Sequence, residues 1–156
     1  MPMVLKKNYI RDGRAPIPKD PARSRIMSAI GAKNTGPEMA LLSQLKKAGI
    51  RGVRRYQKNL PGRPDISLYE AKIAIFVNGC YWHRCPYCKK LLPKQNRDFW
   101  RKKFEANVKR DSIKARQLRK LGWRPLVIWE CRLKKNPTNE VRKIIKAMDL
   151  PKGKRM

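Results

Sequence analysis

The apolar positions of this chain fall into a succession of helical and strand periods. Met39, Leu41, Leu42 and Leu45 recur at helical spacing behind Thr35-Gly36-Pro37-Glu38. That tetrapeptide is a capping-box pattern with proline at the first helical position, and Gly49 closes the helix as a C′ glycine. Val53 to Gln57 predicts a short strand, 59–64 a loop, and Ile66 to Leu68 a second strand entered through Asp65. Tyr69 to Lys72 makes a turn into Ile73-Ala74-Ile75-Phe76-Val77, an unbroken apolar run of the kind a central strand carries. Arg97 to Leu121 predicts a long amphipathic helix with Trp100, Phe104, Val108, Ala115 and Leu118 on one face, stopped at Gly122. Trp123 to Trp129 is a further buried strand and Val141 to Met148 a final helix; Arg23 to Ile30 predicts a short helix with Ile26, Met27 and Ile30 on one side. This order predicts a mixed α/β fold, a β-sheet flanked by helices.

Charge adds a partner. Over 156 residues there are 40 Lys+Arg against 11 Asp+Glu, a formal net charge of +29. Such a surface repels itself and seeks polyanions, and DNA or RNA is the leading partner through counterion release at phosphates. A ribosomal or merely basic protein is the plainer alternative. A membrane partner is disfavoured, since no run approaches the roughly 20 apolar residues of a spanning helix and no long apolar face is paired with a basic one. The N-terminus lacks the apolar core of a signal peptide. The expectation is a chain inside the cell, in the cytoplasm and associated with the nucleoid. Residues 1–22, with four prolines among many Lys and Arg, predict an extended basic arm that gains order on a polyanion. Residues 23–150 form the single folded domain and 151–156 a short basic tail.

Candidate chemistry concentrates in one decapeptide. The only histidine, His83, and three of the four cysteines lie within Gly79–Cys88, and Cys131 follows the apolar run 126–129. Cys80, Cys85, Cys88 and Cys131 have the spacing of a structural zinc site, because four thiolates leave no open position for water. Buried free thiols are the alternative. His83 is then a surface loop residue, a zinc ligand in place of one cysteine, or a positioned acid or base. Asp65, behind Pro64 at a strand entry, is a hard oxygen ligand that suits hydrated Mg²⁺ bridging to phosphate, although Pro-Asp is also an ordinary turn dipeptide. Glu70-Ala71-Lys72 imitates the second half of a PD-(D/E)xK nuclease signature, but Glu70 falls in the turn, away from Asp65. Glu38 has a capping role and can also support a neighbouring carboxylate. Tyr81, Trp82 and Trp100 either stack on or wedge between bases, or pack a core as Trp123 and Trp129 do.

Taken in order, Arg23–Ile30, Glu38, Leu60-Pro61-Gly62-Arg63-Pro64-Asp65, Phe76–His83, Phe99-Trp100, Asn107–Asp111, Leu121-Gly122-Trp123 and Ile128-Trp129-Glu130-Cys131 resemble the very-short-patch repair (Vsr) endonuclease family. The resemblance runs from about residue 22 to 148. It implies a restriction-endonuclease-like, PD-(D/E)xK core with a structural zinc held by Cys80, Cys85, Cys88 and Cys131. It implies that Asp65 binds Mg²⁺, with Val77 as second ligand through its main-chain carbonyl where well-known members carry threonine. His83 assists water or phosphate chemistry, with Glu38 as supporting acid. Asn78 stands in place of a histidine that takes part in proton transfer, and an asparagine can only hydrogen-bond there. Met27, Ile30, Tyr81, Trp82 and Trp100 match the apolar wedge that enters DNA beside the mismatch, and Arg63 lies on the DNA-contacting loop.

The resulting expectation is a monomeric DNA mismatch repair endonuclease that nicks double-stranded DNA beside a T:G mismatch by Mg²⁺-dependent phosphodiester hydrolysis. Two rivals stand beside it. One is a related endonuclease with a different mismatch, lesion or restriction-type substrate; the other is a non-catalytic zinc-stabilised DNA-binding module.

Overall fold

The computed structural model describes residues 33–150, together with 10–11, 15–16 and 22. Two short strands, β1 (Ile10–Arg11) and β2 (Ala15–Pro16), pair antiparallel inside the segment read as an extended arm. The expected helix over 23–30, with the wedge candidates Met27 and Ile30, and the tail 151–156 lie outside the described residues. No helix among the described residues is long and apolar enough to cross a membrane.

Helix α1 (Gly36–Lys47) begins as its sequence demands, with one shift: Gly36 takes the first helical position and Pro37 the second. Its end is a Schellman motif. Gly49, at φ +74°, lets its own N–H reach the Lys46 carbonyl and the Ile50 N–H reach Leu45. Strands β3 (Val53–Arg55), β4 (Ile66–Leu68) and β5 (Ile73–Asn78) then form an antiparallel meander. The first strand stops two residues short of the predicted Gln57, because Tyr56 turns to φ +49°. Helix α2 (Arg97–Lys120) is a right-length crossover to β6 (Arg124–Trp129), which pairs parallel to β5. Gly122, at φ +77°, ends α2 in a second Schellman motif, with Trp123 N–H on Leu118. Two helices close the chain: α3 (Glu130–Lys135), absent from the sequence expectation, and α4 (Pro137–Asp149), which starts at Pro137, earlier than the predicted Val141. Asn136 caps α4 by accepting the Asn139 N–H at 3.0 Å.

The four-stranded sheet runs β3-β4-β5-β6 and separates two cores. Residues alternate across β5 at a period of two. Ile73 and Ile75 join Ile66, Leu68 and Ile128 against α1, α3 and α4, through Leu41, Leu45, Leu133 and Ile144. Ala74 and Phe76 face the other way, onto Leu118 of α2, Leu60 and Trp123. The predicted α/β class and central strand are therefore present. The predicted apolar face of α2 is not continuous, since Phe104 and Leu118 are buried but Val108 is 45% exposed. Trp123 is buried, whereas Trp129 is only partly so.

Candidate active site

An open cleft of about 1050 Å³ lies where β5 ends, over the edge formed with the start of β4 and the middle of α2. Glu38, Arg63, Asp65, Val77, Asn78, Trp82 and His83 all line it. Ligands favour such a place, outside the carboxyl ends of parallel strands.

The loop 60–64 delivers Asp65. Gly62 sits at φ +80°, and a Cβ there would lie 3.1 Å from Lys114 Cβ and from the Phe76 ring. Only glycine lets the loop dock that closely on α2. Asp65 then turns inward, and its Oδ2 accepts the Val77 N–H at 2.7 Å. The β4–β5 register sets Ile66 opposite Ile75. Continued, it sets Pro64 opposite Val77, and a proline has no N–H to give the Val77 carbonyl. Burial raises the Asp65 carboxyl from 3.8 to about 6, against the Val77 N–H, which lowers it; the Glu38 carboxylate raises it further and His83 opposes. The two acids and the histidine thus share one electrostatic neighbourhood.

Glu38 is buried in the first turn of α1. It does not complete the predicted capping box. Its Oε1 accepts the Thr35 hydroxyl at 2.9 Å, its Oε2 accepts the Asn34 N–H at 3.1 Å, and the Tyr56 hydroxyl donates to the same Oε2. Thr35 is spent on the carboxylate instead of on a helix N–H, so Glu38 is held by three donors ahead of the helix. Asn78 is buried at the last position of β5. Glu70 is exposed in the 69–72 turn, as the sequence spacing required, and does not line the cleft.

His83 arrives on the cysteine loop. The loop folds as consecutive turns, with His83 N–H on Gly79 and Cys85 N–H on Cys80. Helix α2 then grips it twice from one face. Asn107 Nδ2 donates to the Trp82 carbonyl at 3.1 Å, and one turn later Asp111 Oδ2 lies 2.6 Å from His83 Nδ1. A carboxylate accepts, so Nδ1 carries the hydrogen, and in the neutral imidazole Nε2 is then the nitrogen with the free lone pair. No motif in the sequence marks Asp111 for a role of its own. A signal was available: Phe104, Asp111 and Leu118 are spaced by seven, so the acid lies on the same side of α2 as two core residues.

The sulfurs of Cys80, Cys85, Cys88 and Cys131 all lie within 4.8 Å of one another, with Cys85 and Cys131 at 3.6 Å. All four are free thiols. Cys131 sits in the first turn of α3, directly after β6, and its N–H donates to Cys80 Sγ at 3.3 Å. Burial pushes the Cys80 and Cys131 thiols up. At Cys85 burial is outweighed by N–H groups of Cys88 and Tyr87, and its thiol lies below the ordinary value. The donor set can hold a metal ion.

Tyr81, Trp82 and Trp100 form one half-buried aromatic cluster with Phe104. Trp82 and Trp100 centroids are 5.9 Å apart and Tyr81 meets Phe104 edge-on at 5.0 Å. Trp82 joins this packing and lines the cleft at the same time.

The family model for DNA mismatch endonuclease Vsr matches residues 17–90. A type II nicking enzyme of Xanthomonas oryzae pv. oryzae, V.XorIIP, is 42% identical over 114 residues, 72% of this chain and 83% of the relative. The DNA mismatch endonuclease Vsr of Escherichia coli K12 is 38% identical over 112 residues, covering 72% and 71%. The type II nicking enzyme V.HpaIIP of Haemophilus parainfluenzae is 36% identical over 128 residues, covering 81% and 90%. With Asp65 and His83 in a single cleft and the matches spanning most of each chain, the chain belongs to the Vsr family of DNA mismatch endonucleases.

Proposed function

We propose that this protein nicks double-stranded DNA beside a T:G mismatch by Mg²⁺-dependent phosphodiester hydrolysis, acting as a monomer on one strand. Family membership implies a restriction-endonuclease-like core and a DNA substrate. One observation carries the mechanistic reading: Asp65, Glu38 and the His83–Asp111 pair converge on one open cleft at the end of β5.

The residues fit the metals the family implies. Asp65 is a carboxylate whose proton affinity burial and Glu38 have raised, a cost that a bound cation would relieve. The Val77 carbonyl, which Pro64 has no N–H to satisfy, would be a second hard oxygen ligand. Mg²⁺ held by Asp65 and Val77 would supply Lewis-acid stabilisation of the charge developing on the phosphate and an activated water. With zinc–sulfur bonds of about 2.3 Å, tetrahedral geometry separates sulfurs by roughly 3.8 Å, close to the Cys85–Cys131 spacing. We assign Cys80, Cys85, Cys88 and Cys131 to a structural Zn²⁺ that fixes the loop bearing His83.

Nε2 of the neutral His83 imidazole takes a proton from the attacking water, Asp111 stabilises the imidazolium that forms, and that imidazolium then gives the proton to the leaving oxygen. Lys33, Arg63, Arg110 and Lys114 line the cleft and hold backbone phosphates without reading sequence. Tyr81, Trp82 and Trp100, with Met27 and Ile30, supply the wedge, which selects a mispaired step because that step costs less to unstack.

A different mismatch range is the second reading, and Asn78 favours it: a buried amide at the end of β5 orients a water or phosphate but transfers no proton. The deciding variant is Asp65→Ala. This variant should bind mismatched duplex like the parent and not nick it. Parental nicking by this variant would refute the mechanism and leave the DNA-binding module.

A further inference from the structure

We infer that Tyr56 is a positioning residue, which clamps the Glu38 carboxylate against the Asp65 strand and so sets the spacing of the two acids in the cleft. The inference rests on the reading of Glu38 as a working acid and names what holds it in place.

The register puts Tyr56 there. β3 pairs β4 with Arg55 opposite Ile66. One step further, Tyr56 stands opposite Asp65, and its N–H donates to the Asp65 carbonyl at 3.4 Å. At that point the chain turns to φ +49° at Tyr56, a conformation a bulky residue rarely adopts. The turn ends the strand and swings the ring towards the start of α1. One residue thereby touches both acids, Asp65 through its main chain and Glu38 through its phenol.

The hydrogen-bond polarity at the phenol has one solution. Its oxygen receives the Asn34 N–H at 2.7 Å and Arg55 Nη2 at 2.8 Å. Neither group can accept a hydrogen bond, so the single hydroxyl proton must go to Glu38 Oε2. The donors are themselves anchored. Arg55 Nη2 also reaches Asn34 Oδ1 at 2.6 Å, and its guanidinium lies 4.8 Å over the Tyr56 ring and 4.0 Å from Glu38 Oε2. Lys33 Nζ stands 5.1 Å from the same ring's centroid. Two cations on the ring hold it flat beneath them. Glu38 is thereby held in place by three donors, as groups behind a metal or catalytic centre are commonly held.

The phenol can be removed without emptying the site. Tyr56→Phe keeps the ring under Lys33 and Arg55, the Asn34 N–H still has Glu38, and Arg55 still has Asn34. We expect Tyr56→Phe to lower single-turnover nicking about 10-fold and to raise the half-saturating Mg²⁺ concentration, with mismatched-duplex binding in EDTA at the parental Kd. Glu38→Gln should lose at least as much, and the double variant no more than Glu38→Gln alone. In protein without added Mg²⁺, the Tm shifts of the two single variants should be non-additive in the double. Parental nicking by Tyr56→Phe at every Mg²⁺ concentration, beside an impaired Glu38→Gln, overturns the inference and leaves the Glu38 reading intact. Additive losses in the double variant overturn it as well. Parental nicking by Glu38→Gln instead removes the role of Glu38, and with it the clamp.

Discussion

Asp65→Asn should stabilise this protein while abolishing its nicking. Burial, reinforced by Glu38, raises the Asp65 carboxyl from 3.8 to about 6. The folded state therefore binds the proton more tightly than the unfolded chain does. Stability from this group is intact below pH about 4 and is lost as pH rises through about 6. The shift of roughly 2 pH units corresponds to about 3 kcal/mol at 1.36 kcal/mol per unit. Asp65 keeps some contact with solvent, which trims the effect to roughly 1–2 kcal/mol. An asparagine is neutral at every pH, and its carbonyl oxygen can still accept the Val77 N–H. At roughly 2–4 °C per kcal/mol for a chain of this size, the variant should melt about 2–8 °C above the parent at pH 7.5. About half of that gain should remain at pH 5, where the folded carboxyl is mostly protonated but the unfolded one is not. The assay is thermal unfolding of both proteins at the two pH values without added Mg²⁺. Added Mg²⁺ should then raise the parent's Tm and leave the variant's unchanged. A variant that melts lower than the parent, or a gain of the same size at both pH values, would refute the electrostatic reasoning.

Two further outcomes follow from the loop and its grip. Asp111→Asn should cut nicking about 10- to 100-fold with mismatched-duplex binding unchanged, because His83 loses its tautomer and orientation but not its place; single-turnover kinetics beside a binding assay check this. Cys131→Ser removes the one thiol that ties the loop to the end of β6. Metal analysis should find one zinc per parent chain and less in the variant, with a lower Tm and weaker nicking.

Much of the fold was legible because its signals are local. The run 73–77 is apolar at every position, as a strand covered on both faces must be, and Gly49 and Gly122 stand where two helices need a left-handed residue. The cysteine spacing marked four thiols that the fold brings together across more than forty residues of sequence. What the sequence hid depends on tertiary contact. Helix α3 has six residues, too few for a helical period to show, and it forms where β6 delivers Cys131 to the cysteine cluster. The strand ending at Arg55 looked longer because nothing local reveals that Tyr56 turns towards Glu38. On α2, Val108 was assigned to the core by spacing. In the structure Val108 is exposed, because the middle of the helix runs along the open cleft, which Asp111 lines. Thr35 and Glu38 read as a cap, but the carboxylate is turned to Asn34 and Tyr56, which the pattern does not contain.

The central claim is best tested by strand-specific nicking of a labelled duplex with one T:G pair, beside matched T:A and C:G duplexes, in Mg²⁺ and in EDTA. Cutting is expected on the T-bearing strand of the mismatched duplex alone, abolished by EDTA. Equal Mg²⁺-dependent cutting of all three duplexes, or no cutting of any with DNA binding intact, would contradict it.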